Sequence, residues 1–191
     1  EEDLFMAPDL STIRKIPWNK EPTAQIICDL NYPSGEPSKL APRQVLKNII
    51  KKLSEKELQA VVAPELEFYL CEQNLDPDLP LKTPIGKSGR RETGSRVFGI
   101  DAVNEFDKLT DDIYDYCELM NIGVDTLVHE SGPSQIEINL NHGDPLALAD
   151  QAFMFKRAVR QVALKHNIHA TFMAKPYQGQ PGSSMHIHQN L

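Results

Sequence analysis

The run VVAPELEFYL, residues 61–70, constrains this chain more than any other stretch. Its β-branched, aromatic and aliphatic content suits an extended strand, in which successive side chains point to opposite faces. Leu66, Phe68 and Leu70 then share one face, and Glu65, Glu67 and Tyr69 share the other. A strand with one apolar face needs a second layer to bury it, while its glutamate face must meet water, a partner or a cation.

Later segments repeat the pattern. VDTLVHE (124–130), SQIEINLNH (134–142), IHATFMAKP (168–176) and MHIHQNL (185–191) read as strands. The second alternates Ile136, Ile138 and Leu140 with Gln135, Glu137, Asn139 and Asn141, and the last sets His186 and His188 on one face. Between them lie helical periodicities. APRQVLKNIIKKLSEK (41–56) carries Pro42 in its first turn; AVNEFDKLTDDIYDYCELMNIG (102–123) is expected to stop at Gly123; and PLALADQAFMFKRAVRQVALKHN (145–167) has Asp144 as N-cap and Pro145 at its first position. TAQIICDL (23–30) reads as one strand, and the Pro/Gly turn after it makes about residue 37 a domain boundary. The stretch 73–97, rich in Pro, Gly and charge, is either a functional loop or a tolerated surface insertion. Strand pairs mixed with helices predict an α+β fold, with helices on one side of a largely antiparallel sheet.

Composition removes several classes of function. Lys+Arg of 20 against Asp+Glu of 27 leaves a net charge of -7 with no basic stripe, which disfavours nucleic acid and anionic membrane surfaces. No apolar run is long enough to span a membrane, and EEDLFMAPDL is the reverse of a signal peptide's basic start, so the chain reads as cytoplasmic. Cys28, Cys71 and Cys117 have no disulfide or zinc spacing and read as core thiols. A first residue other than Met and an end inside a strand suggest a piece of a longer protein.

Four strands thus carry acidic or imidazole groups on their polar faces: Glu65 and Glu67, Glu130, Glu137, and His186 with His188. If the strands are neighbours, the carboxylates repel unless a cation neutralises them. Carboxylates with an imidazole and no thiolate suit Mg²⁺ or Mn²⁺ better than zinc. A sheet face that simply meets water explains the local pattern equally well. Taken singly, His186 and His188 are more often structural, and His129, His142, His166 and His169 are read so by default. GQPGSS as a phosphate loop and KSGRR as an anion site are weaker than a tight turn and solvated loop charge.

APELEFYL, HESGPSQIEINL and FMAKPYQGQPGSSMHIHQNL resemble, in order and separation, the signature segments of the glutamine synthetase family, and GSSMHIHQ with HESGPSQIEIN looks most like its gamma-glutamylpolyamine synthetase branch. The resemblance implies a curved antiparallel sheet backed by helices. Residues 1–37 would be the end of a small β-grasp-like N-terminal domain, and 38–191 the first part of the catalytic domain. It implies two divalent sites, with Glu67, Glu130 and Glu137 holding the substrate-side ion, and Glu65 and His186 the ion at the ATP phosphates. His188 matches an ATP contact, Asp125 an acidic nucleotide-site position, and Gly182 a glycine whose backbone holds glutamate. Glu130 would draw in the amine and help it lose a proton. The chain departs from ammonia-using members at Val97, where they carry Tyr, at Pro181, where they carry Asn, and at His142, where an aromatic faces adenine. An apolar wall at Val97 suits an amine with a carbon chain.

The implied activity is ATP-dependent ligation of glutamate to an amine such as putrescine, through an acyl phosphate, in a ring-shaped oligomer of the full-length protein. These 191 residues alone, lacking the catalytic loops that flank this region in the family, are expected not to turn over. The alternatives are ammonia-using glutamine synthetase, a non-catalytic homologue, and a metal-dependent hydrolase.

Overall fold

Short ladders come first in the computed structural model, which describes residues 3–191. β1 (Phe5–Pro8) pairs antiparallel with β4 (Cys28–Asn31), and β2 (Arg14–Lys15) with β3 (Ala24–Gln25). The strand expected over 23–30 is therefore two strands. The break has a local cause: Ile27 N–H donates to Thr12 Oγ1 at 2.9 Å, and Ile27 carbonyl accepts from Asp9 N–H at 2.9 Å. These bonds turn the chain from one ladder to the other.

α1 (Pro42–Ser54) starts at Pro42, whose fixed φ and missing N–H suit a first helical position. Its Leu46, Ile50 and Leu53 are half-buried, and Val45 and Ile49 stay exposed. Arg43, in its first turn, donates to Asp9 (2.6 Å) and Asp29 (2.7 Å) of the N-terminal ladders and to Asp150 (3.0 Å) of a later helix.

The glutamate run is the middle of β5 (Val61–Glu72), the strand around which the main sheet is built. β7 (Gln135–Leu140) pairs along one edge, opposite Glu65–Tyr69. Along the other edge lie β9 (Met185–Asn190), opposite Val61–Leu66, and β8 (Ile168–Thr171), opposite Tyr69–Glu72. β6 (Val124–His129) adds outside β7 with a register shift between Val124 and Leu127. Every pairing is antiparallel. β8 ends well short of the expected residue 176, because the chain turns to form the loop before β9.

The apolar face carries the core. Leu66, Phe68 and Leu70 of β5 and Ile136, Ile138 and Leu140 of β7 are buried beneath α3 (Asp107–Leu119) and α4 (Pro145–Lys165). This is the predicted α+β arrangement of an antiparallel sheet backed by helices. Asp144 caps α4 by accepting from Ala147 N–H at 2.9 Å. The helix expected over 102–123 is divided into α2 (Ile100–Val103), a 3₁₀ turn (Asn104–Phe106) and α3. At the break, Glu105 carbonyl accepts from Lys87 N–H (3.0 Å) and its carboxylate from Ser88 N–H (3.1 Å), so the 73–97 loop docks where the helix is interrupted.

The stop also differs from the expected Gly123. Asn121 takes the left-handed conformation (φ 52), and Ile122 N–H closes on Cys117 carbonyl at 2.8 Å. Gly123 answers a different need, since a Cβ there would lie 2.7 Å from Asn141 Nδ2. Cys71 and Cys117 are buried, and burial pushes their thiols up to about 11 and about 12. Cys28 is half-buried. Among the described residues, no helix is long and apolar enough to cross a membrane.

Candidate metal and active site

The register of the sheet assembles the polar face. Glu67 lies directly opposite Glu137 on β7, and Glu65 lies between Asn139 of β7 and His186 of β9. Directly paired residues of antiparallel strands share a face, so these groups project together. Ligand atoms of Glu65, Glu137 and His186 all lie within 4.8 Å of one another. Glu65 also stands between two imidazoles, 3.3 Å from His186 Nδ1 and 3.1 Å from His188 Nε2. Both rings are largely exposed. Glu67 is more enclosed: its Oε2 accepts from Gln135 Nε2 at 2.9 Å and from Ser184 N–H at 3.0 Å.

Glu130 follows the end of β6, where its N–H donates to Gln135 carbonyl at 2.8 Å and its Oε2 accepts from Ser131 N–H at 3.1 Å. It is close enough to act on its neighbours. Burial, with the charges of Glu65, Glu130 and Glu67, holds the Glu137 carboxyl above its usual range. Burial, with Glu67 and Glu130, pushes the Tyr69 hydroxyl up to about 12. Among the described residues, no Lys or Arg forms an ion pair with Glu65, Glu67, Glu130 or Glu137. A set of hard oxygen donors with one imidazole and no compensating cationic side chain fits Mg²⁺ or Mn²⁺.

Other predicted residues reach this face to different degrees. Val97 is 44% exposed, and the next residue, Phe98 (φ 58), donates its N–H to His129 carbonyl at 2.8 Å, which sets Val97 beside the turn that carries Glu130. Gly182 lies in the loop between β8 and β9; its carbonyl accepts from Gln135 Nε2 at 3.0 Å, and a Cβ there would stand 2.8 Å from Ala174 carbonyl oxygen. Pro181 carbonyl accepts from the Tyr69 hydroxyl at 2.7 Å. Asp125 is exposed at the end of β6 away from Glu130, so the structure does not bring it to the carboxylates. His142 is exposed in the turn before α4.

Two contributors have no signature in the sequence. Glu92, in the charged 73–97 loop, accepts from Ser134 N–H at 2.5 Å and meets His129 Nε2 at 2.9 Å, while His129 Nδ1 meets Glu130 carbonyl at 2.7 Å. That side chain staples the loop to the Glu130 turn. The loop also walls a cavity of about 600 Å³ among Arg90, Arg91, Glu92 and Arg96, away from the carboxylates. The second contributor is Gln135, which the alternation puts on the polar face but does not distinguish from Asn139.

A family profile described as "Glutamine synthetase, catalytic domain" matches residues 39–191. "Gamma-glutamylputrescine synthetase PuuA" of Escherichia coli (strain K12) is 38% identical over 193 residues, covering 100% of this chain and 41% of that protein. "Glutamate--isopropylamine ligase" of Pseudomonas sp is 33% identical, covering 99% of this chain and 40% of that protein. "Glutamine synthetase" of Mycobacterium tuberculosis (strain ATCC 25618 / H37Rv) is 34% identical over 203 residues, covering 100% and 42%. The solved structure "GmaS/ADP complex-Conformation 1" superposes with a TM-score of 0.83 at 26% identity, covering 98% of this chain and 41% of that one. The chain thus spans about two fifths of the length of these relatives.

Proposed function

Because this chain belongs to the glutamine synthetase family, we propose that the full-length protein is an ATP-dependent ligase joining the γ-carboxylate of glutamate to an amine with a carbon chain, such as putrescine. The observation that carries the reading is the convergence of Glu65, Glu137 and His186, with Glu67 paired to Glu137 and the charge of Glu130 acting on it, without a Lys or Arg ion-pair partner among the described residues. Burial and the neighbouring carboxylates hold the Glu137 carboxyl above its usual range, a repulsion that a bound cation would relieve.

In this reading Glu67, Glu130 and Glu137 hold the substrate-side cation, and Glu65 with His186 holds the other. A carboxylate oxygen of Glu137 lies within 4.8 Å of ligand atoms of Glu65 and His186, so Glu137 stands between the two sets. Bound there, the cations would neutralise charge while the γ-phosphoryl group of ATP passes to the glutamate carboxylate and ADP leaves; the deprotonated amine then attacks the acyl phosphate and displaces phosphate. Glu130 attracts the cationic amine and takes its proton, and the side chain of Val97 gives the amine's carbon chain an apolar wall. Gly182 offers backbone to glutamate, and His188, beside Glu65, contacts ATP. Residues 1–37 close an N-terminal β-grasp-like domain, 38–191 begin the catalytic domain, and the full-length protein forms a ring.

Phosphate release by the full-length protein, with glutamate, ATP and a panel of amines, tests the reading. Putrescine is expected to outpace ammonium. Activity with ammonium and none with putrescine would overturn the choice of amine in favour of glutamine synthetase proper, the second reading, which rests on the 34% identity to the mycobacterial enzyme. The 191-residue chain alone is expected to show no turnover. With the full-length protein, Glu130→Gln is expected to lower kcat by about 100-fold or more.

A further inference from the structure

We propose that Gln135 is a positioning residue that locks the substrate-side carboxylate Glu67 and the Gly182 loop into one geometry, coupling cation binding to glutamate binding. The glutamate half rests on the ligase reading above; the cation half does not.

Gln135 is 1% exposed. A primary amide buried this deeply must have its two N–H donors and its oxygen satisfied. One N–H goes to Glu67 Oε2 at 2.9 Å and the other to Gly182 carbonyl at 3.0 Å, while Oε1 accepts from Gly132 N–H at 2.9 Å. Its backbone makes two further bonds, accepting from Glu130 N–H (2.8 Å) and donating to Gly132 carbonyl (3.1 Å). One side chain therefore joins three pieces of the site: β5 through Glu67, the turn after β6 through Gly132, and the loop before β9 through Gly182.

The effect on Glu67 is specific. Oε2 takes two hydrogen bonds, from Gln135 and from Ser184 N–H, whereas among the described residues none reaches Oε1. The carboxylate is thereby fixed in rotation with one oxygen left for a cation. Because the two amide hydrogens lie in one plane at a set angle, the Glu67 oxygen and the Gly182 carbonyl cannot move independently. Tyr69, paired with Gln135 across the ladder, tethers the same loop through Pro181 carbonyl. A Cβ at Gly132 would fall 1.9 Å from the Tyr69 hydroxyl, so only glycine lets that turn approach closely enough to donate to Gln135.

The alternatives at position 135 fail on chemistry. Glutamate would set an acceptor against two acceptors, asparagine is one methylene short of spanning both, and methionine has the length but no donors.

The test uses the metal-free full-length protein and its Gln135→Met and Gln135→Asn variants, so that it does not depend on one variant folding. Direct titration with Mn²⁺, read by electron paramagnetic resonance, is expected to show one site weakened about 10-fold or more in each folded variant. In turnover assays KM for glutamate is expected to rise similarly, with KM for ATP held within about twofold. A folded variant that binds Mn²⁺ and glutamate as the wild type does would overturn the proposal, as would an equal loss for ATP, which marks general disruption. A wild-type protein without ligase activity would sink the functional reading and leave the Mn²⁺ titration as the deciding measurement here.

Discussion

At Glu137 the repulsion of the cluster is most visible. Its carboxyl, held above the 4.5 of an unperturbed glutamate by burial and by Glu65, Glu130 and Glu67, binds its proton more tightly in the folded chain than in the unfolded one. The metal-free protein is therefore favoured at low pH by this group, and loses that contribution as pH rises through the shifted value. Glu137→Gln should leave the metal-free Tm unchanged or raised. It should also erase most of the stabilisation that Mn²⁺ confers on the wild type, which is about 2.7 kcal/mol at a hundredfold excess over Kd. Calorimetry with and without Mn²⁺ checks both halves. Glu65, Glu67, Glu137 and His186 were legible in the sequence as groups on one face, because a period of two with Leu, Phe and Ile between them leaves the polar side no other place. The linking role of Gln135 was not legible. It depends on a loop 47 residues away folding over it, and no local pattern separates a buried amide from the solvent-facing kind. Glu92 is hidden for the same reason, since its partners His129 and Ser134 lie on other elements.

Single elements read best where their ends carry their own chemistry. α4 begins where Asp144 and Pro145 require, and Asp144→Ala should cost about 1 kcal/mol in urea unfolding of the full-length protein, through the lost bond to Ala147 N–H. The bounds of β5 and β7 fall close to those the alternation marks, although on the polar side of β5 Glu67 and Tyr69 are buried as well. Failures come where a distant segment competes for backbone groups. The interrupted helix at Asn104–Phe106 has a continuous apolar period, but Lys87 and Ser88 take up Glu105. The strand over 23–30 divides because Thr12 and Asp9 capture Ile27. Periodicity reports which face is buried and says nothing of which carbonyl is already spoken for.

The whole molecule is tied front to back through Arg43. This guanidinium, 13% exposed, holds Asp9 and Asp29 of the ladders and Asp150 of α4. Arg43→Met leaves three carboxylates facing one another and should cost about 3 kcal/mol, measured by urea unfolding. Acid should act on the same junction. Ser11 and Arg43 hold the Asp9 carboxyl down at about 2, and Asp29, although burial opposes it, is held low by Lys47 and Arg43. Their contribution is complete above the ordinary 3.8 and is lost as pH falls toward 2, so the wild type should loosen over that window and Arg43→Met should show a smaller acid transition. At this scale the sheet also does something no single residue can. Glu65 and Glu67 are separated by one pleat of β5, about 6.6 Å at the usual strand rise. A residue inserted between them would not widen that gap by half, because it would turn Glu67 through the sheet toward the α4 side. The distance between the two charges is therefore quantised: the strand can offer one pleat or two, and no value in between.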